Sequence, residues 1–123
     1  MKFTLDPGGG ANLIRAYAAD GIRVGDRFIS SSCIVTAETA IAPWAPATLD
    51  ELTVSHLEAI FALRPELVLV GTGARQRFAS AEVRAAFGAQ RIGVEFMDLG
   101  AACRTFNVLV QEERRVAAAL FLK

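Results

Sequence analysis

The sequence predicts an α/β domain in which parallel strands lie buried under helices, preceded by an antiparallel β meander. Two stretches carry that prediction. Leu67-Val68-Leu69-Val70 is a run of apolar, β-capable residues without polar alternation, leading into Gly71-Thr72-Gly73. Such a run reads as a strand buried on both faces, the mark of a parallel sheet. A helical pattern over residues 81–87 and a second strand over residues 92–96 follow it, a spacing that suits a crossover unit.

Composition bounds the rest. The 123 residues fit one domain, with 53% hydrophobic and 21% charged residues, so a core can form without metals or disulfides. Lys plus Arg and Asp plus Glu balance at 13 each, which gives no basic excess for nucleic acid, and no nucleic-acid partner is expected. Cys33 and Cys103 form no Cys-x-x-Cys pair and read as two reduced, buried thiols. The N-terminus lacks the apolar core of a signal peptide, and no stretch has the length of a spanning helix. A soluble, cytoplasmic protein without direct membrane insertion is expected.

Residues 1–11, with Pro7-Gly8-Gly9-Gly10, are expected to form a flexible N-terminal arm, and residues 12–123 the domain. Residues 13–35 read as the meander, with turns at Asp20-Gly21 and Gly25-Asp26 and a serine cluster, Ser30-Ser31-Ser32, at a polar edge or bulge. Residues 42–49 form a connector in which Pro43 and Pro46 flank Trp44. Trp44 is expected to cap one end of the core; a partner-binding anchor is the alternative. Residues 53–63 read as a helix capped by Thr53 and ended by Pro65, with Leu57, Ile60 and Phe61 on one face. Ser80 is expected to cap the helix over 81–87, and Gly88 to terminate it. Residues 98–112 suit strand or helix; Ala102, Phe106, Leu109 and Val110 at helical spacing decide for helix, with Asp98 as cap. Residues 116–122 form the last strand.

Gly71-Thr72-Gly73 invites a nucleotide reading, with Glu95 in the place of a ribose-binding acid. The third glycine of a G-x-G-x-x-G pattern is Gln76, however, and no phosphate-loop motif follows. A tight turn or close backbone packing accounts for the glycines equally well. Open α/β sheets bind ligands at the carboxyl ends of their strands. Two such ends bring Gly71, Thr72, Gly73, Arg75, Asp98, Cys103, Arg104 and Asn107 towards one rim, the candidate binding surface. It offers an anion or carboxylate pocket; the bland alternative is a structural network in which Asp98 pairs with Arg104 or Arg75. Cys103 as nucleophile would need a base, and His56, the sole histidine, belongs to a distant helix. No catalytic residue, metal site or cofactor is predicted.

Four blocks in order, Val70-Gly71-Thr72-Gly73, Gly93-Val94-Glu95-Phe96-Met97-Asp98, Ala102-Cys103-Arg104-Thr105-Phe106-Asn107-Val108-Leu109 and Arg115-Val116-Ala117-Ala118-Ala119-Leu120, resemble the signature of a small domain-of-unknown-function family. That family includes the mitochondrial complex I assembly factor 3 and many bacterial proteins. The resemblance runs over about residues 12–122. It implies a three-layer domain with a central mixed, mostly parallel sheet and an extra β element, and it supports the helix over 101–112. It also implies a non-enzymatic interaction domain, an assembly factor for membrane respiratory complexes whose partners are membrane-complex subunits. The alternatives are a small-molecule or anion-binding domain, enzymatic or not, at a rim formed by Thr72, Asp98 and Arg104, and a structural homodimer using Trp44 and the first strand. Leu99 stands where the family usually has threonine. Glu113 stands where glycine or asparagine is common, so Glu113→Gly is expected to stabilise the chain slightly.

Overall fold

The computed structural model describes residues 11–123. The arm expected over residues 1–11 lies outside the described residues, except for Ala11, which packs on the core. Among the described residues, eight strands form two sheets. The first is the antiparallel meander of β1 (Ile14–Ala18), β2 (Gly21–Val24) and β3 (Arg27–Ile29). The second has five strands in the order β5-β4-β8-β6-β7, where β4 is Cys33–Val35, β5 Ala40–Ile41, β6 Leu67–Thr72, β7 Gly93–Met97 and β8 Val116–Phe121. β6 runs parallel to both β7 and β8, and β4 runs antiparallel to β8 and β5.

β8 lies at the centre because its side chains suit both faces. Val116, Ala118 and Leu120 enter one core cluster, and Ala117, Ala119 and Phe121 enter the other. This is the two-residue period of a strand covered on both sides. The first cluster is closed by the meander, through Ile22, Val24 and Ile29, and by helix α3 (Leu99–Gln111), through Leu99, Ala102 and Phe106. The second is closed by the one-turn helix α1 (Glu58–Phe61), by α2 (Ala81–Ala89), and by Trp44. The domain is therefore three layers with a mixed sheet in the middle.

Several local expectations shift. The meander stops at Ile29, and Cys33–Val35 leaves it to join β8. All three residues of that segment are buried, with Ile34 on one face of the sheet and Cys33 and Val35 on the other. Only a slot covered on both sides satisfies such a segment. Ser32, buried just before it, donates to the carbonyls of Trp44 (3.0 Å) and Pro46 (2.6 Å). The serine cluster thus ties the proline-flanked connector to the sheet. Trp44 caps the core as expected, its ring 5.4 Å from that of Phe121.

The helix expected over residues 53–63 is shorter and tighter. A 3₁₀ segment (Val54–Leu57) leads into the single α-turn of α1. His56 Nδ1 accepts from the Thr53 N–H at 3.0 Å, so the sole histidine helps to satisfy a helix start. Gly88 does not end α2 but lies inside it. The terminating residue is Arg91, at φ +57°, with Arg91 N–H to Gly88 O (3.0 Å) and Ile92 N–H to Phe87 O (3.1 Å). Glu113, at φ +63°, ends α3 in the same way, with Glu113 N–H to Val110 O and Arg114 N–H to Leu109 O, both 2.9 Å. These paired 5→2 and 6→1 bonds are Schellman motifs. The C-terminal boundary expected for α3 is thereby found where the sequence places it.

Candidate functional site

β6 continues further than its apolar run. Gly71 and Thr72 still pair with Leu120 and Phe121 of β8. Gly71 is a packing glycine, because a Cβ there would lie 2.9 Å from Leu120 Cδ2 and 3.2 Å from Ala102 Cβ. Its absence lets α3 lie close on the sheet. The turn itself begins at Gly73, at φ +85°, where a Cβ would fall 2.7 Å from the Lys123 carbonyl carbon. The Gly73 carbonyl accepts from Leu99 N–H at 2.8 Å, joining the turn to the first residue of α3. Strand end and helix start are thus fixed to each other by backbone alone.

A shallow cleft of about 370 Å³ opens at this end of the sheet. One wall is the end of β1 with Tyr17, Ala18 and Ala19. The other is Gly73 and Ala74 with Asp98, Leu99, Gly100 and Arg104 from the start of α3, and Leu122 also lines the cleft. It lies at the carboxyl ends of the parallel strands, where the topology predicts it.

Of the eight rim residues expected from sequence, Gly73, Asp98 and Arg104 meet in this cleft. The others are placed differently. Thr72 is buried; its hydroxyl donates to Arg75 O (2.6 Å) and Met97 O (3.2 Å) and receives the Arg77 N–H (3.0 Å). That hydroxyl folds the 72–77 loop. Arg75 lies within that loop, and it is exposed. Cys103 is buried with Cys33, and both thiols are free. Burial, helped by the neighbouring Cys33 and opposed by Arg104, pushes the Cys103 thiol up to about 12. It therefore stays protonated at neutral pH, which removes the thiolate a nucleophile needs. Asn107 faces β1, where it holds the backbone of Ile14.

The structural network expected around Asp98 is not formed. Asp98 caps α3, its carboxylate accepting from Ala101 N–H at 2.9 Å. Among the described residues, neither Arg104 nor Arg75 pairs with a carboxylate; the ion pairs found are Arg77 with Asp50 and Arg114 with Glu66. Arg104 instead donates through Nη1 to the Tyr17 hydroxyl, with its guanidinium carbon 5.9 Å from the Tyr17 ring centroid. Gly100 makes room for this pair. A Cβ there would lie 2.8 Å from Tyr17 Cε1 and 3.0 Å from Arg104 Nη1.

Tyr17 and Gly100 are the functional candidates that sequence reasoning passes over. Tyr17 is the only tyrosine, on a strand 87 positions from Arg104. Local pattern cannot join two residues so far apart in the chain. No group of three or more metal-ligating side chains is found among the described residues, nor does any helix there reach the length and apolarity needed to cross a membrane.

Comparison with known proteins follows the same outline. The zebrafish (Danio rerio) protein named NADH dehydrogenase [ubiquinone] 1 alpha subcomplex assembly factor 3 is 34% identical over 110 residues. That alignment takes in 88% of this chain and 63% of the relative, so the chain spans less than two thirds of that relative's length. The crystal structure of a Bordetella parapertussis protein superposes with a TM-score of 0.85 at 36% identity, covering 93% of this chain and 98% of the other. A solution structure from Bordetella pertussis, described as an Mth938-like domain, gives 0.81 at 31% identity, over 98% and 92% of the two chains. Residues 14–121, nearly every element described above, match the family described as "Protein of unknown function (DUF498/DUF598)", and the chain belongs to that family.

Proposed function

We propose that this chain is a non-enzymatic docking domain that assists the assembly of membrane-bound respiratory complexes, and that it meets its protein partner at the Tyr17–Arg104 cleft. The observation that carries the reading is the Tyr17–Gly100–Arg104 arrangement. An arginine of α3 and a tyrosine of β1, two elements far apart in the chain, are held side by side at the mouth of an open cleft, where a glycine clears the space they need. Tyrosine and arginine, together with tryptophan, are enriched among the side chains that anchor protein interfaces. The groups a reaction would recruit are otherwise engaged: Thr72 in its loop, Asp98 in its cap, Cys103 in the core. The respiratory assignment draws on the zebrafish relative, which is named as an assembly factor of NADH dehydrogenase.

Deletion of the gene tests this directly. Membranes of the deletion strain are expected to hold less assembled NADH:quinone oxidoreductase on a native gel. The wild-type gene restores it, and an Arg104→Glu variant does so poorly although it folds. An unchanged amount of assembled enzyme in the deletion strain would sink the respiratory assignment.

A further inference from the structure

We infer that the cleft recognises a carboxylate carried on an apolar segment of the protein partner, an aspartate or glutamate side chain, with Arg104 as the anchoring cation. This rests on the docking reading above and names the partner's chemistry. The cleft holds two opposite charges that are unequally satisfied. Its lining contains one acid and one base, Asp98 and Arg104. Asp98 is satisfied internally: its carboxylate accepts from Ala101 N–H, and the positive end of the thirteen-residue helix α3 offsets its charge. Arg104 has no such compensation. Its one side-chain partner among the described residues is the neutral hydroxyl of Tyr17.

That hydroxyl nevertheless orients the guanidinium. Nη1 is bound to Tyr17, and the planar fork keeps its remaining N–H donors for another acceptor. A carboxylate matches that fork better than any neutral group, because both hydrogen bonds to it are charge-assisted. The Tyr17 hydroxyl, which accepts from Arg104, has its own proton left to donate to the same acceptor. The remaining lining sets what the carboxylate is attached to. Ala18, Ala19, Ala74, Leu99 and Leu122 present small or aliphatic surface. A chain segment with an acid flanked by small or aliphatic residues meets both requirements, whereas a free inorganic anion would use only the first.

A titration of the ¹⁵N-labelled full chain, followed by NMR, tests the assignment. The probe is the capped peptide acetyl-Ala-Leu-Asp-Leu-amide, and its control has Asn in place of Asp. The expected result is a saturable shift of the Gly73, Leu99, Gly100 and Arg104 amides with the Asp peptide. Binding should be about tenfold weaker for the Asn peptide and for the Arg104→Gln protein, the loss typical of one charge-assisted contact. The spectrum of the Arg104→Gln protein shows at once whether it is folded. Equal affinity for the two peptides, unchanged affinity of the variant, or no saturable shift would overturn the inference. So would inorganic phosphate moving the same amides as strongly as the Asp peptide, since that marks a simple anion site. None of these outcomes bears on the deletion strain, so a failure here and a failure of the assembly reading are told apart.

Discussion

Asn107 grips Ile14 by both of its backbone groups. Its Oδ1 accepts from the Ile14 N–H at 2.8 Å, and its Nδ2 donates to the Ile14 carbonyl at 2.9 Å. β1 is an edge strand of the meander, and its register shifts between Ile14 and Ala16. The side-chain amide therefore stands in for the peptide of a missing neighbouring strand. Asn107→Ala should lower stability by about 2 kcal/mol, since two hydrogen bonds go and two backbone groups lose their partners. Urea denaturation should show a lower midpoint at an unchanged slope.

The helix exits offer the opposite sign. Glu113 and Arg91 occupy the left-handed region, which costs a residue with a Cβ about 1–2 kcal/mol. Glycine removes that cost but adds freedom to the unfolded chain, about 0.4–1 kcal/mol. Glu113→Gly and Arg91→Gly should each raise stability by roughly 0.5 kcal/mol on that balance, seen as a rise of a few degrees or less in Tm.

Three glycines should respond differently to the same added methyl group. Gly88 lies within α2 with nothing within 4 Å of an added Cβ, so Gly88→Ala should stabilise by about 0.5–1 kcal/mol. Gly71→Ala drives a methyl group against Leu120 and Ala102 and should cost about 1–3 kcal/mol. Gly73→Ala combines a positive φ with a contact to the Lys123 backbone, which cannot rotate away as a side chain can. It should be the most destabilising of the three in parallel thermal melts.

The two cysteines predict an alkaline limit to stability. Burial raises both thiols to about 12 in the folded chain, against an ordinary value of 9.0. Their contribution to stability is complete below pH 9 and is lost as pH rises from there towards 12, because the unfolded chain ionises first. Cys33→Ala and Cys103→Ala should each flatten that decline. A thiol reagent at neutral pH should label neither residue in the folded protein and both after unfolding.

Much of this architecture was legible in the chain itself. The run Leu67-Val68-Leu69-Val70, the small residues of β8 and the apolar spacing in α3 each carry their own physical signature, because burial on two faces or on one helical stripe dictates residue type at short range. Ser80 and Asp98 were recognisable as caps for the same reason: the groups they satisfy are three residues away. Tertiary structure alone decided the partnerships. Nothing within Cys33-Ile34-Val35 says that it crosses from the meander to pair with β8, and Asn107 in a helical pattern gives no sign that it completes a strand edge. The rim followed the same division. The topology brought Gly73, Asp98 and Arg104 together, whereas the choice of Tyr17 rather than Asp98 as the partner of Arg104 depended on how the meander lies against α3. Local sequence determines which conformation a segment prefers; which distant group its side chains meet is set by the packing of whole layers, and that information is spread over the entire chain.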